Sequence, residues 1–176
     1  GLDVDMGFIE GPQTHPDLAL RPWLTDELVV VAAPGHPLAG RRLAGAEQLR
    51  ALRWALRETG SGTREASDRW LLEHLGSIDV GFELGSTEAL KRLVATGAAV
   101  GCLSRHAVAQ ALANGSLVEL RTTLPPLRRR LAIVLHKDKH LGRGADDFVR
   151  QCMAGAPVRG GRRANEGRLD LASAKP

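Results

Sequence analysis

The sequence has no tyrosine, three phenylalanines, three tryptophans, two methionines and two cysteines in 176 residues. With so few rings it offers no stacking platforms for single-stranded nucleic acid. Cys102 and Cys152 stand in different segments without metal-ligand spacing, and both read as buried or inert thiols. No run of 18 or more uncharged apolar residues is present, so nothing has the length and apolarity of a spanning helix. No secretory leader is expected either. Gly1-Leu2-Asp3-Val4-Asp5 puts acidic residues where a leader needs a basic start and an apolar run, and the cytoplasm is the expected compartment.

Catalytic signatures are equally scarce. Gly60-Ser61-Gly62-Thr63 lacks the lysine of a phosphate-binding P-loop, and there is no Gly-x-Ser-x-Gly elbow. Cys102 and His106 are four apart but straddle a strand-to-helix junction, with no orienting acid in sight. His15, His36, His74, His136 and His140 lie scattered and read as surface residues. No cofactor and no metal are expected, and the chain does not read as an enzyme.

The net charge of +4 suggests a nucleic-acid partner until its distribution is considered. From Ala154 onward, Arg159, Arg162, Arg163, Arg168 and Lys175 face only Glu166 and Asp170, so the tail carries +3 and the body about +1. A near-neutral body is no footprint for a phosphate backbone. The tail, rich in Gly, Arg, Ala and Ser and poor in apolar anchors, is expected to be disordered over 154–176.

What is present is a regular alternation. Val4 to Ile9 is an apolar run ended by Gly11-Pro12, and Glu27 to Ala32 is β-branched and nearly continuous, a strand covered on both faces. Trp54 to Arg57, Val80 to Leu84 and Ala99 to Leu103 add strands. Helices follow Ser61-Gly62-Thr63, Gly85-Ser86-Thr87-Glu88 and Ser104, with stops at Gly76, Gly97 and Asn114-Gly115. Leu117 to Leu120 and Leu131 to Leu135 are further strands, and a last helix runs from about Gly144 to Met153. Strand and helix in turn predict an α/β domain with a largely parallel sheet.

In such sheets ligands sit where helix N-termini converge beyond the strand ends. Ser61, Gly62, Thr63, Ser86, Thr87 and Ser104 lie at those points. Each helix start offers unpaired N–H groups and the positive dipole end, a cup for a small anion that needs no cationic side chain. For any one hydroxyl, N-capping alone is the simpler account. The Gly60-Ser61-Gly62-Thr63 loop carries two glycines where one cap would do, and there we read binding. Arg128-Arg129-Arg130 reads as a solvated strand edge.

Read in order, these segments resemble the effector-binding domain of LysR-type transcriptional regulators. The matching stretches are Leu2 to Gly11, Leu24 to Ala32 with Gly35-His36-Pro37-Leu38-Ala39, Arg57 to Glu65, Leu84 to Lys91, Gly97 to Val108 and Leu127-Arg128-Arg129. The resemblance covers about 1–153. It implies a type II periplasmic-binding-protein-like α/β fold, with one nearly complete subdomain and part of a second. Residues 1–23 would belong to subdomain I, 24–137 would form subdomain II, and 138–153 would return to subdomain I.

The resemblance also implies a small-molecule effector, by the helix termini an anionic one, held between the subdomains. Ser61, Gly62, Thr63 and Thr87 would supply the subdomain II wall. It implies a homo-oligomer that reaches DNA only through a winged helix-turn-helix absent from this sequence, with no membrane partner. Much of the first half of subdomain I would be absent too, leaving the strand from Val4 with an exposed edge and a tendency to self-associate. Arg57 to Glu65 and Leu103-Ser104-Arg105-His106 resemble a subgroup sensing small inorganic anions or central metabolites, among them sulfur- and carbon-assimilation regulators and a sulfite-responsive type. The other readings are a free-standing solute-binding protein of a transporter, which would need a signal peptide or lipidated cysteine, and an enzyme on the same fold.

Overall fold

The Val29-Val30-Val31 run sets the architecture, because alternate residues of a strand point to opposite faces and here both sets are apolar. Leu28, Val30 and Ala32 join Trp54, Leu56, Trp70, Leu71 and Leu75 on one side of the sheet. Val29 and Val31 join Ala55, Leu90, Val94, Leu103 and Val108 on the other. A computed structural model describes residues 4, 6–10, 15–40, 43–138 and 141–155. The disordered tail expected over 154–176 lies outside the described residues except for Ala154, which ends a helix, and Gly155, which caps it. His140 also lies outside them.

The elements in chain order are β1 (Met6–Glu10), β2 (Leu18–Ala32), α1 (Ala46–Arg50), β3 (Arg53–Arg57), α2 (Gly62–Leu75), β4 (Asp79–Leu84), α3 (Thr87–Ala95), β5 (Val100–Ser104), α4 (Arg105–Ala113), β6 (Val118–Glu119), β7 (Leu127–His136) and α5 (Arg143–Ala154). The strands form one sheet in the order β1-β7-β2-β5-β3-β4, with β6 paired to β2. The α/β class expected from the sequence is what the chain adopts, but the sheet is mixed where a largely parallel one was expected. β3 runs parallel to β4 and β5, whereas β2 pairs antiparallel with β5, β6 and β7, and β1 antiparallel with β7. Two long strands joined by most of the chain lie side by side and set that half of the sheet.

β2 is far longer than the expected Glu27–Ala32. Pro22 lacks an N–H and interrupts the pattern of a strand; the sheet accommodates it with a register shift between Pro22 and Leu24. α1 also went unread, being a single short turn. At Gly101 a Cβ would stand 2.9 Å from Leu90 Cδ2 and 3.1 Å from Val94 Cγ2. α3 therefore lies closer to the sheet than any side chain at 101 would permit.

A smaller cluster of Ile133, Leu135 and Val149, with Met6, Trp23, Leu141 and Cys152 against it, ties α5 to β7 and β1. Trp23 Nε1 donates to the Cys152 carbonyl at 2.8 Å. Phe8 lies tilted against Trp23 at 4.9 Å and edge-on to Phe148 at 6.3 Å. Phe8, Phe148 and Met153 remain substantially exposed, so this end has an apolar face toward solvent.

Among the described residues β1 pairs with β7 alone, while Leu28 to Val31 sit between β5 and neighbouring strands. Amides 6–10 should therefore exchange with solvent markedly faster than amides 28–31. Equal protection of the two segments would show that β1 is held by more than this one ladder.

Candidate functional site

β7 carries Arg128, Arg129 and Arg130 in succession, and strand alternation separates them. Arg128 and Arg130 face outward. The Arg129 side chain is 12 % exposed and is the hub of an ion-pair cluster. The antiparallel register sets Asp26 of β2 directly opposite it. Arg129 Nε donates to Asp26 Oδ2 at 2.9 Å, and its Nη2 lies 2.8 Å from the same oxygen. Asp26 is 1 % exposed, and the Ser104 hydroxyl donates to its Oδ1 at 2.8 Å. The remaining Arg129 nitrogen, Nη1, donates to Thr63 Oγ1 at 3.1 Å and to Glu10 Oε2. Arg129 thus corrects the expectation of a solvated edge: three arginines in a row look alike in sequence but lie on two faces of the strand.

At the other end of the cluster β3 runs into α2. Arg57 donates to Thr87 Oγ1 at 2.9 Å, and through Nε and Nη2 to both carboxylate oxygens of Glu58. Those bonds, with a backbone N–H, hold the Glu58 carboxyl down to about 2, and its charge in turn keeps Arg57 cationic. Arg64, in the first turn of α2, grips the Arg57 carbonyl at 2.8 Å and pairs with Asp68 and Glu83. That grip fixes where β3 ends and α2 begins. The anion cup was expected to need no cationic side chain; two guanidinium groups stand beside it.

The six residues singled out from the sequence fall into three groups. Gly62 and Thr63, with Ser61 as N-cap, open α2 beside Arg129 and Glu10. The Ser61 side chain makes no cap hydrogen bond. Thr87 begins α3 and joins the cluster through Arg57. Ser86 and Ser104 are both caps, accepting from Ala89 and Ala107 N–H at 3.4 Å. Ser86 is exposed, and Ser104 is turned toward Asp26. Glu10, Asp26, Arg57 and Arg129 were not read from the sequence. For Asp26 and Arg129 the signal is the cross-strand pairing of an acidic Asp26-Glu27 against Arg129-Arg128, visible only once the register is known; Glu10 and Arg57 carry no such signal.

A hollow of about 330 Å³ is lined by Thr25 with Arg128, Arg129 and Arg130, and another of about 350 Å³ by residues including Trp70 and Pro125. Neither is lined by Ser61, Thr63 or Thr87. Cys102 is fully buried, and desolvation pushes its thiol up to about 12 despite the nearby Arg129. It is an inert core residue, and it forms no nucleophile with His106. Among the described residues no group of three His, Cys, Asp or Glu could hold a metal ion, and no helix is long and apolar enough to cross a membrane.

A mixed sheet with helices on both faces, crossed by two long antiparallel strands, is the frame of a periplasmic-binding-protein-like domain, and residues 2–157 match the LysR substrate binding domain. The chain belongs to that family. It is 46 % identical over 149 residues to the HTH-type transcriptional regulator YeiE of Escherichia coli strain K12, covering 85 % of this chain and 50 % of that one. It is 32 % identical over 145 residues to the RuBisCO operon transcriptional regulator of Allochromatium vinosum, covering 82 % and 48 %. The chain spans about half the length of these curated relatives. The CcmR regulatory domain of Synechocystis PCC6803, solved in complex with 2-PG, superposes with a TM-score of 0.77 at 32 % identity, covering 88 % of this chain and 74 % of that one. The QuiR effector-binding domain shares the fold, with a TM-score of 0.70 at 20 % identity, covering 85 % and 70 %. These relatives are regulators and effector-binding domains, not enzymes.

Replacing Asp26 by Ala leaves the Arg129 charge short of its inward partner. The expected cost is about 3–5 kcal/mol, the usual loss when one member of a buried pair is removed. Urea unfolding measures it; a loss below about 1 kcal/mol would mean that the pair is no strut.

Proposed function

We propose that this chain is the effector-sensing domain of a LysR-type transcriptional regulator and binds a small anion at the α2 end of the Arg57–Arg129 cluster. The observation that carries this reading is Arg129, largely buried yet with Nη1 directed to Thr63 at the first turn of α2. A guanidinium nitrogen beside a helix N-terminus presents a charged donor and the positive dipole end to one incoming anion. Ser61 adds a hydroxyl not taken up by capping. Ser61, Gly62, Thr63 and Thr87 are the ligand-facing residues of the expected set, with Arg57 and Arg129 joining them. Ser86 and Ser104 are caps at its margin.

A relative 32 % identical was solved with 2-PG, 2-phosphoglycolate, an anion of the same size class. Residues 24–137 form subdomain II, and 1–23 with 138–153 the share of subdomain I present. The whole regulator works in the cytoplasm as a homo-oligomer and reaches DNA through a winged helix-turn-helix outside this sequence, as the HTH-type relatives suggest.

Thermal shift and calorimetry with sulfite, sulfate, phosphate, 2-phosphoglycolate and small carboxylates test the anion reading. At least one of these should stabilise the chain, and Thr63→Val should weaken its binding by about 1–3 kcal/mol, the cost of an unmet polar partner. Stabilisation by neutral sugars or amines alone, with every anion silent, would overturn it.

A further inference from the structure

The cluster holds one carboxylate more than its cations require. Asp26 compensates Arg129 from within the sheet, and Glu58 compensates Arg57. Glu10 is the extra negative charge, and it sits on Arg129 Nη1 beside the first residue of α2. Gly62 records how close that approach is. A Cβ at position 62 would stand 2.1 Å from Glu10 Oε2 and 2.8 Å from its carboxyl carbon. Gly62 is not among the positive-φ glycines, so its backbone does not demand glycine. What a side chain there would meet is the end of Glu10, which would have to turn aside.

Resting on the reading above, we infer that Glu10 is the site's resident anion, a tethered carboxylate on the Arg129–α2 terminus position that an effector anion must displace. The chemistry is a like-for-like exchange. A carboxylate on the guanidinium fork and helix end satisfies the same donors that a sulfate or phosphate would. Both cannot be held there, because Nε and Nη2 of Arg129 are already on Asp26 and Glu10 occupies the one nitrogen left, Nη1. Glu10 ends β1, the strand that pairs, among the described residues, with β7 alone. Displacement therefore frees the end of the element that is cheapest to move, and ligand binding becomes a change in the order of β1. A latch closed nine-tenths of the time raises the apparent dissociation constant of the competing anion about tenfold.

Calorimetric titration of the full chain and its Glu10→Gln variant with inorganic sulfate and inorganic phosphate tests this. Glutamine keeps the shape and removes the competing charge, so at least one of these anions should bind the variant about tenfold more tightly or better. Equal or weaker binding by Glu10→Gln, where the wild type binds, would sink the latch and leave the anion site standing. Silence of both proteins toward both anions would overturn the latch, and the anion site falls with it when sulfite, 2-phosphoglycolate and small carboxylates are silent too. Hydrogen exchange on the wild type separates a latch from a mere strut. On adding the bound anion, amides 6–10 should exchange faster while 61–63 become more protected, and Glu10→Gln should show fast 6–10 exchange from the start. Protection of 6–10 that stays the same or rises on binding would also overturn the proposal. Unchanged protection of 28–31 in the variant verifies that its core is folded.

Discussion

Arg129 and Asp26 face one another across β2 and β7, and the arrangement of the site follows from that pair. A carboxylate 1 % exposed inside a sheet is costly unless its charge is met and its lone pairs are used. Arg129 meets the charge with two nitrogens and Ser104 supplies a third donor. Because Ser104 is also the cap of α4, the same carboxylate links two strands and a helix start. With two nitrogens turned inward, the guanidinium plane is fixed, and Nη1 is left pointing at Thr63. Removing Asp26 would therefore loosen the direction of the outward donor as well as the fold.

How much of this could be read from the sequence depended on whether each signal was local. Val29 to Val31 announce a doubly covered strand by themselves, and the structure places them at 0–5 % exposure. Gly76 and Gly97 stop their helices as expected, both with positive φ. The segment from Leu18 to Asp26 was hidden because Pro22 breaks the pattern and because its first half is only half-buried. Arg129 was hidden because a tract of three arginines carries no sign of which one turns inward; that depends on pairing with a strand about a hundred residues earlier. The helix-start hydroxyls were legible as a group. Which of them cap and which stay free is a matter of side-chain rotamer, and the sequence does not encode that in any local pattern.

The electrostatics of the wall are consistent with a near-neutral body. Each cation of the cluster already has a carboxylate, so no large field extends into solvent. An anion held there, as proposed, would be recognised by a few directed donors and two helix ends rather than by long-range attraction. Such a site suits discrimination by shape and hydrogen bonding among small anions of similar charge.

Gly62 ties two distant positions into one choice. A Cβ at 62 would overlap the carboxylate of a glutamate reaching across from 10, so an alanine there would turn that side chain away from Arg129. A side chain at 62 would thus act on the occupancy of the Arg129 nitrogen rather than on the helix that carries it.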